Sequence, residues 1–343
     1  MNVKLVGLLL AGSLLSSCGG GDSSSGGTPP PTGGGGGGSG GTPPPPAISY
    51  TKFADLTGNQ TFDSACSGVQ LGSFQGASGA TGFTQGLGFA YTASTDTWSI
   101  TPAAGQFRND VTLSFGPSDL VEKDSAGTAL YRRRNAEGRT ERFGYFIPPS
   151  LDPAPAYVRD VSVGAPLADG STGITYCVFG VPTSLQDKIP NVVENSGFIS
   201  YGSNAVRGAV FVLSQNGQFE QYSLEETVVD FRADPRDGSI KIRLYLNGQK
   251  YLDGGALSDD VVSFGTVFGE TSVDGSEQNF SGGSSTDQDD GGFIGFDFGG
   301  WFFGPQGAEN GFVFDIMQNR NDGATVFGAG VVMSTKAGEF VPA

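Results

Sequence analysis

Large apolar residues in this chain recur at every second position, and no segment of useful length repeats at the helical period. Ile240, Ile242, Leu244 and Leu246 alternate with Lys241, Arg243 and Tyr245. A period of two sends successive side chains to opposite faces, so one face of each such run must lie against a core. Phe83, Leu87, Phe89 and Tyr91 lead to a Ser94-Thr95-Asp96 turn, with Trp98 and Ile100 beyond it and a further set at Val111, Leu113 and Phe115. Asn216-Gly217 stands between Ala209-Val210-Phe211-Val212-Leu213 and Phe219 to Tyr222, and Asn247-Gly248 stands before Tyr251-Leu252. Asn-Gly supplies the two positive φ angles of a type I′ turn, so both sites are expected to reverse the chain. Phe293, Phe296, Phe298, Trp301, Phe302 and Phe303 lie among many glycines, and Phe312, Phe314 and Ile316 then alternate toward Asp322-Gly323. Glycine among aromatics fits the bulges and corners of a strongly curved sheet whose interior the aromatics fill, as in a small barrel. The expected fold class is all-β.

From Ile48 onward about 296 residues remain, enough for two domains of ordinary size. Gly180-Val181-Pro182-Thr183 and the run from Asp187 to Pro190 break the alternation. The expected division is residues 48–188 and 189–343. The stretch from Thr271 to Gly292 is rich in Gly, Ser, Asp and Gln, has Phe280 as its one large apolar residue before its end, and reads as a long exposed loop.

The leader is of another kind. Lys4 precedes an apolar run from Leu5 to Leu15, and Ser16-Ser17-Cys18 follows. This is too short to span a bilayer and reads as an export signal over residues 1–17. Leu15-Ser16-Ser17-Cys18 resembles the lipobox of bacterial lipoproteins, which implies a thioether-linked lipid on Cys18, palmitate among its acyl chains. Residues 19–47 hold only Gly, Pro, Ser, Thr, one Asp and one Ala, so nothing there can offset chain entropy by burial. Residues 18–47 are therefore a lipidated tether, with a reach of roughly 30 Å as a coil and roughly 90 Å extended. Gly19 is not the aspartate that often retains lipoproteins in an inner membrane, which points to the outer membrane, with display at the cell surface expected.

Charge and composition remove whole classes of function. A net charge of −16 disfavours nucleic acid as a partner in the absence of a concentrated basic patch. Histidine is absent, which excludes Ser/His/Asp and Cys/His nucleophile activation and His-ligated zinc, iron or haem. No catalytic residue, metal centre or cofactor is expected. With Cys18 committed to lipid, Cys66 and Cys177 remain in an oxidising compartment, where a disulfide is the natural reading and two buried free thiols the alternative.

Gly300-Trp301-Phe302-Phe303-Gly304-Pro305, followed by Glu309 and Gly311, resembles the signature hairpin of the transferrin-binding protein B-like barrel. Gly307 stands where that family usually has alanine. Val326-Phe327-Gly328-Ala329-Gly330 is similar to the family's last barrel strand, and Phe115 to Leu120 and Cys177 to Thr183 look like segments of its single-lobe members. The resemblance implies an N-terminal β handle domain followed by a C-terminal eight-stranded antiparallel β-barrel. It further implies a surface lipoprotein that captures an unknown host protein or a haem- or iron-type nutrient, with hand-over to an outer-membrane transporter.

Four groups of residues invite a chemical reading. Glu309 lies just after Gly-Pro, where a carboxylate would accept backbone N–H groups and fix its hairpin. Asp287, Asp289 and Asp290 before Gly291 offer hard oxygens, but the later bidentate acid of an EF-hand is missing, and a solvated loop is expected. Arg132-Arg133-Arg134 after Tyr131 is the densest positive cluster. With Tyr145 or Tyr157 nearby, Tyr131, Arg132 and Arg134 are the candidate ligand-binding set for a carboxylate-bearing ligand such as a porphyrin, although alternation lets at most two of the arginines share a face. Glu225 and Glu226 are adjacent and would diverge in a strand, so they do not form the carboxylate pair a glycosidase needs. The competing readings are a glycan-binding or glycan-degrading β protein and a structural or adhesive envelope protein.

Overall fold

The computed structural model describes residues 48–71, 79–102, 111–125, 127–166, 172–187, 197–234, 237–273, 279–287, 293–336 and 340–342. Cys18, its tether and the segment around residue 188 therefore lie outside the described residues. The first ten strands are β1 (Gln60–Phe62), β2 (Ala65–Leu71), β3 (Leu87–Thr92), β4 (Thr97–Pro102), β5 (Leu113–Phe115), β6 (Leu120–Lys123), β7 (Ala129–Arg134), β8 (Thr140–Phe146), β9 (Val158–Pro166) and β10 (Thr172–Gly180). They form two sheets, in the orders β1-β3-β4-β5 and β2-β10-β9-β8-β7-β6. Phe62, Phe89, Trp98, Ile100 and Phe115 of the first sheet meet Tyr131, Phe143, Tyr145, Val161 and Phe179 of the second in one core. This is the handle.

Cys66 and Cys177 stand directly opposite in the β2–β10 pair and are joined as a disulfide, with Cα atoms 4.1 Å apart. The Cys66 amide donates to Thr81 Oγ1 and its carbonyl accepts from Thr81, so this is a non-hydrogen-bonded pair, the closer of the two kinds.

The remaining strands are β11 (Gly197–Ser200), β12 (Ser203–Leu213), β13 (Phe219–Ser223), β14 (Val228–Ala233), β15 (Ser239–Tyr251), β16 (Leu257–Ser272), β17 (Asn279–Asp287), β18 (Phe293–Phe303), β19 (Glu309–Asn319), β20 (Thr325–Thr335) and β21 (Phe340–Pro342). All eleven belong to one antiparallel sheet. β11 with β12, and β13 with β14, are interrupted halves of single staves, and β21 only edges β11. Eight staves remain. β12 pairs with β20 along its whole length, and the seam between β16 and β17 is bridged by Thr271 Oγ1 donating to the Ser281 carbonyl at 2.7 Å and by Ser284 Oγ donating to the Phe268 carbonyl. These two bonds share one antiparallel register. The expected eight-stranded barrel is present.

Several local expectations change. Thr271 to Gly292 is not a long loop, because β17 occupies Asn279–Asp287. Its Ser and Gly residues hide the alternation, since Gly282 and Gly269 leave space that the Phe298 ring of the neighbouring strand fills; a Cβ on either would come within 2.8 Å of that ring. Asn247-Gly248 does not reverse the chain. β15 continues through it, with a bulge at Leu246/Asn247, and turns only at Leu252 to Ala256. Glycine is required at 248 because a Cβ would lie 2.8 Å from the Ser223 carbonyl oxygen. Asn216-Gly217 does close a hairpin, but only Gly217 has positive φ, the three-to-five-residue loop form with one left-handed glycine rather than a type I′ turn.

The glycines of the last strands act as sockets more than as corners. Inside the barrel, Gly300 receives Phe280 and Phe312, and Gly330 receives Phe314. Tyr201, Phe231, Phe280, Phe302 and Phe312 form a continuous ring cluster there. The lumen is thus filled with side chains, each buried ring contributing ~1.5–3 kcal/mol. Outside, Gly299 lies under the Thr81 carbonyl and Gly311 under Val178, so the handle sheet approaches the barrel wall at backbone distance.

Candidate functional site

The signature hairpin of the barrel is where the handle docks. Glu309 is buried, and its carboxylate accepts three consecutive backbone amides from the handle: Ala156 at 2.6 Å, Tyr157 at 2.9 Å and Val158 at 2.9 Å. It clamps the start of β9 onto the barrel rather than fixing its own hairpin, a partner 151 to 153 residues away that sequence spacing cannot show. Burial pushes the Glu309 carboxyl above its ordinary value, while the three N–H groups and the Arg159 charge pull it back. Gly304, with φ of 71°, lies flat under the Tyr157 ring, and Thr183 Oγ1 donates to its carbonyl at 2.7 Å. Phe83 packs against Trp301 and Phe303. The motif that carries the family resemblance therefore alternates: Trp301, Phe303, Gly304, Glu309 and Gly311 meet the handle, while Gly300 and Phe302 face the lumen.

Tyr131, Arg132 and Arg134 are not brought together. Tyr131 points into the handle core and stacks on Phe143, whereas Arg132 and Arg134 leave the opposite face of β7 and are exposed. Arg132 faces Arg142 across the β7–β8 pair, and Arg134 hydrogen-bonds the Gly138 carbonyl. Arg133 shares the inward side, bonding Glu141 at 2.6 Å with its guanidinium 5.2 Å from the Phe115 ring centre. A tyrosine beside two arginines, as porphyrin binding would use, is not assembled here, because a strand cannot place residues 131 and 132 on one face.

Tyr131 instead lines an open cavity of about 260 Å³ in the handle, together with Phe53, Tyr91, Asp96, Trp98 and Tyr145. Tyr91 donates to Asp96 Oδ1 at 2.8 Å, a bond that with burial holds its phenol up at about 12. Burial raises the Tyr131 and Tyr145 phenols, and the Trp98 ring lies 5.3 Å from that of Tyr145. Behind the wall, Arg159 is buried with its guanidinium 4.5 Å from the Phe53 ring centre and against Gly127; burial lowers it to about 10, which leaves it charged at neutral pH. No sequence signal marks this arrangement, since Phe53, Tyr91, Trp98, Tyr131 and Tyr145 come from five separate segments and each reads alone as an ordinary core aromatic.

A second cleft of about 780 Å³ lies at the junction of handle and barrel. Phe146, Pro148 and Val206 give it an apolar part, and Glu122, Glu225 and Glu226 an acidic rim. Glu225 and Glu226 occupy a turn between β13 and β14 rather than a strand, so both reach this cleft. Arg207 at its edge holds Asp160 through two bonds of 2.5 and 2.7 Å and lies over the Phe146 ring. Of the aspartate row, the backbone of Asp287 ends β17, and Asp289, Asp290 and Gly291 lie outside the described residues. Among the described residues no group of three or more acidic or cysteine side chains converges as a metal site. No described helix is long and apolar enough to cross a membrane.

The sequence matches no family profile and no curated protein sequence. Among solved structures, the chain is similar to a mutated transferrin binding protein B, a vaccine antigen from Haemophilus parasuis Hp5, at 12 % identity and a TM-score of 0.40, over 81 % of this chain and 46 % of that one. It is also similar to the isotype 1 transferrin binding protein B of serogroup B Neisseria meningitidis, at 12 % identity and a TM-score of 0.29, over 75 % of this chain and 59 % of that one. An outer membrane protein of Vibrio cholerae, OmpT, matches at 10 % identity and a TM-score of 0.17, over 80 % of this chain and 98 % of that one. The chain thus spans less than half the length of the first of these structures, and likenesses this distant carry no argument about ligand or partner.

Proposed function

We propose that this protein is a lipid-anchored binding protein of the outer membrane, displayed at the cell surface through Cys18 and its tether, that captures a ligand with the handle and the handle–barrel junction. One observation carries the location of binding. The barrel lumen is packed with aromatic rings and the barrel's own cavity of about 340 Å³ is lined mainly by charged side chains such as Asp230, Arg232, Lys241 and Glu270, whereas an aromatic-walled cavity lies in the handle and a cleft of about 780 Å³ at the junction. The barrel is then a rigid wall that holds the handle in one orientation, and Glu309 is the clamp. Lipid on Cys18 accounts for a leader that ends in Leu-Ser-Ser-Cys and a tether with no burial capacity. Because Tyr131 and the arginines diverge, the porphyrin reading loses its geometric basis, and a host macromolecule is the favoured cargo, with an outer-membrane transporter as the receiving partner.

The test is made on intact cells. Labelled palmitate should enter the wild-type chain and not Cys18→Ala. External protease should remove the handle epitope from cells whose periplasmic marker stays intact, and the same cells should retain a saturable component of host fluid. A chain protected until the outer membrane is opened would sink the display reading.

A further inference from the structure

The handle cavity has a chemistry that selects among ligands. At about 260 Å³ it falls just below the ~300 Å³ at which small-molecule pockets begin, so it has room for one ring and not for a chain. Its walls are aromatic, and its polar groups are balanced between donors and acceptors. Tyr131 and Tyr145 each present a phenol hydroxyl that can donate and accept, and Lys123 adds an ammonium at the rim. Asp96 keeps one carboxylate oxygen beyond the one Tyr91 uses, and Gln60 adds an amide.

Charge removes the alternatives. A cation, organic or metallic, would meet the buried guanidinium of Arg159, whose Nε has no partner among the described residues and whose NH2 would lie 3.2 Å from a Cβ on the lining residue Gly127. Iron(III) in particular would have to displace the protons of Tyr91, Tyr131 and Tyr145, all held above their ordinary value. An anion would meet Asp96 and Asp124 at the rim. A purely apolar ring would leave the Tyr131 hydroxyl and the Asp96 oxygen without water or partner, at a cost of ~1–3 kcal/mol each. What remains is a ring that is neutral, carries hydroxyls that both donate and accept, and has an apolar C–H face for the aromatic wall.

We propose that the handle cavity binds a single neutral pyranose ring, either a free sugar or the terminal residue of a glycan. This deepens the capture reading by naming the chemistry recognised, and it rests on that reading only for what the ring is attached to.

The experiment uses the full chain in detergent and follows tryptophan emission. The sequence has two tryptophans, and Trp301 is buried against Phe83 at the docking face, so a change on sugar binding reports Trp98. The probes are the methyl glycosides of glucose, galactose, mannose and N-acetylglucosamine, with glucuronate, cyclohexanol and ferric nitrilotriacetate as contrasting ligands, followed by an array of glycans ending in the same rings. At least one neutral glycoside should saturate, the charged and apolar rings should not, and Tyr131→Phe and Asp96→Asn should each weaken binding about tenfold, the equivalent of ~1.4 kcal/mol. Saturation by methyl glycosides marks a free-sugar site, and saturation only on the array marks a glycan end; either supports the proposal. No saturation by any neutral ring in either format overturns it, as does a phenolate-to-iron absorption band that Tyr131→Phe removes. If sugar saturates but protease cannot reach the chain on cells, display fails and the cavity stands; if cells retain a partner and no sugar saturates, capture stands and the cavity proposal fails.

Discussion

Glu309→Ala is expected to loosen the handle from the barrel. The substitution deletes the acceptor of three amides, on Ala156, Tyr157 and Val158, none of which has another acceptor within the docked arrangement described above. Each buried donor left unpaired costs ~1–3 kcal/mol, while removal of a buried carboxylate returns part of its own desolvation cost. Arg159, which the Glu309 charge favours, also loses that compensation. The balance is close to that of breaking a buried ion pair from one side, ~3–5 kcal/mol. At ~2 °C per kcal/mol for a unit of this size, Tm should fall by roughly 6–10 °C. Calorimetry measures the fall, and hydrogen exchange locates it: amides 156 to 158 should lose protection while those of Phe312 and Phe314 in the barrel keep theirs. Glu309→Gln should fall between, because one amide oxygen can replace at most part of a three-donor set and its NH2 meets a donor. A Tm within ~1 °C of wild type, or an unchanged melt with loss of ligand retention, would refute the clamp and return Glu309 to the functional residues.

Three further outcomes follow from the same structure. Burial pushes the Asp315 carboxyl up to about 7, with Asp297 opposite adding to the rise, so the folded chain holds a proton between pH ~4 and 7 that the unfolded chain has released. Stability of the wild type relative to Asp315→Asn should then fall by up to ~4 kcal/mol as pH rises through that window and stay level above it; parallel urea-midpoint profiles for the two chains would contradict this. Gly269→Ala places a methyl 2.3 Å from the Phe298 ring and should cost ~1–3 kcal/mol in urea denaturation, more than Gly79→Ala, where no atom lies within 4 Å and the backbone is not left-handed. Reduction of Cys66–Cys177, which spans 111 residues, should lower stability by at most ~4–5 kcal/mol, measured as the shift in urea midpoint with and without reductant, and a larger loss would mean that the pair also organises the fold around Thr81.

Alternation alone made the all-β class legible, because a side chain on a strand has two choices of face and water decides between them. The lumen strands at Ile240 to Leu246 and Phe312 to Ile316 are visible for that reason. Where the inward volume is supplied by a neighbour the signal vanishes: β17 is built from serine and glycine since Phe298 fills its side of the lumen. Turn chemistry is similarly local only when nothing else needs the glycine. Gly217 closes a hairpin, whereas Gly248 sits mid-strand because the Ser223 carbonyl and Phe264 crowd it.

The missing histidines and the strand period were decided by sequence, and the expectation of a leader and a tether rests on sequence alone, since each depends on composition or on neighbours within a few residues. The partners of Glu309, the divergence of Tyr131 from Arg132, the disulfide register and the five-segment aromatic cavity were decided by tertiary structure. Those depend on which strands lie side by side after chain segments more than a hundred residues apart have met, and hydrophobic period fixes which face a residue takes without naming the residue it will meet there.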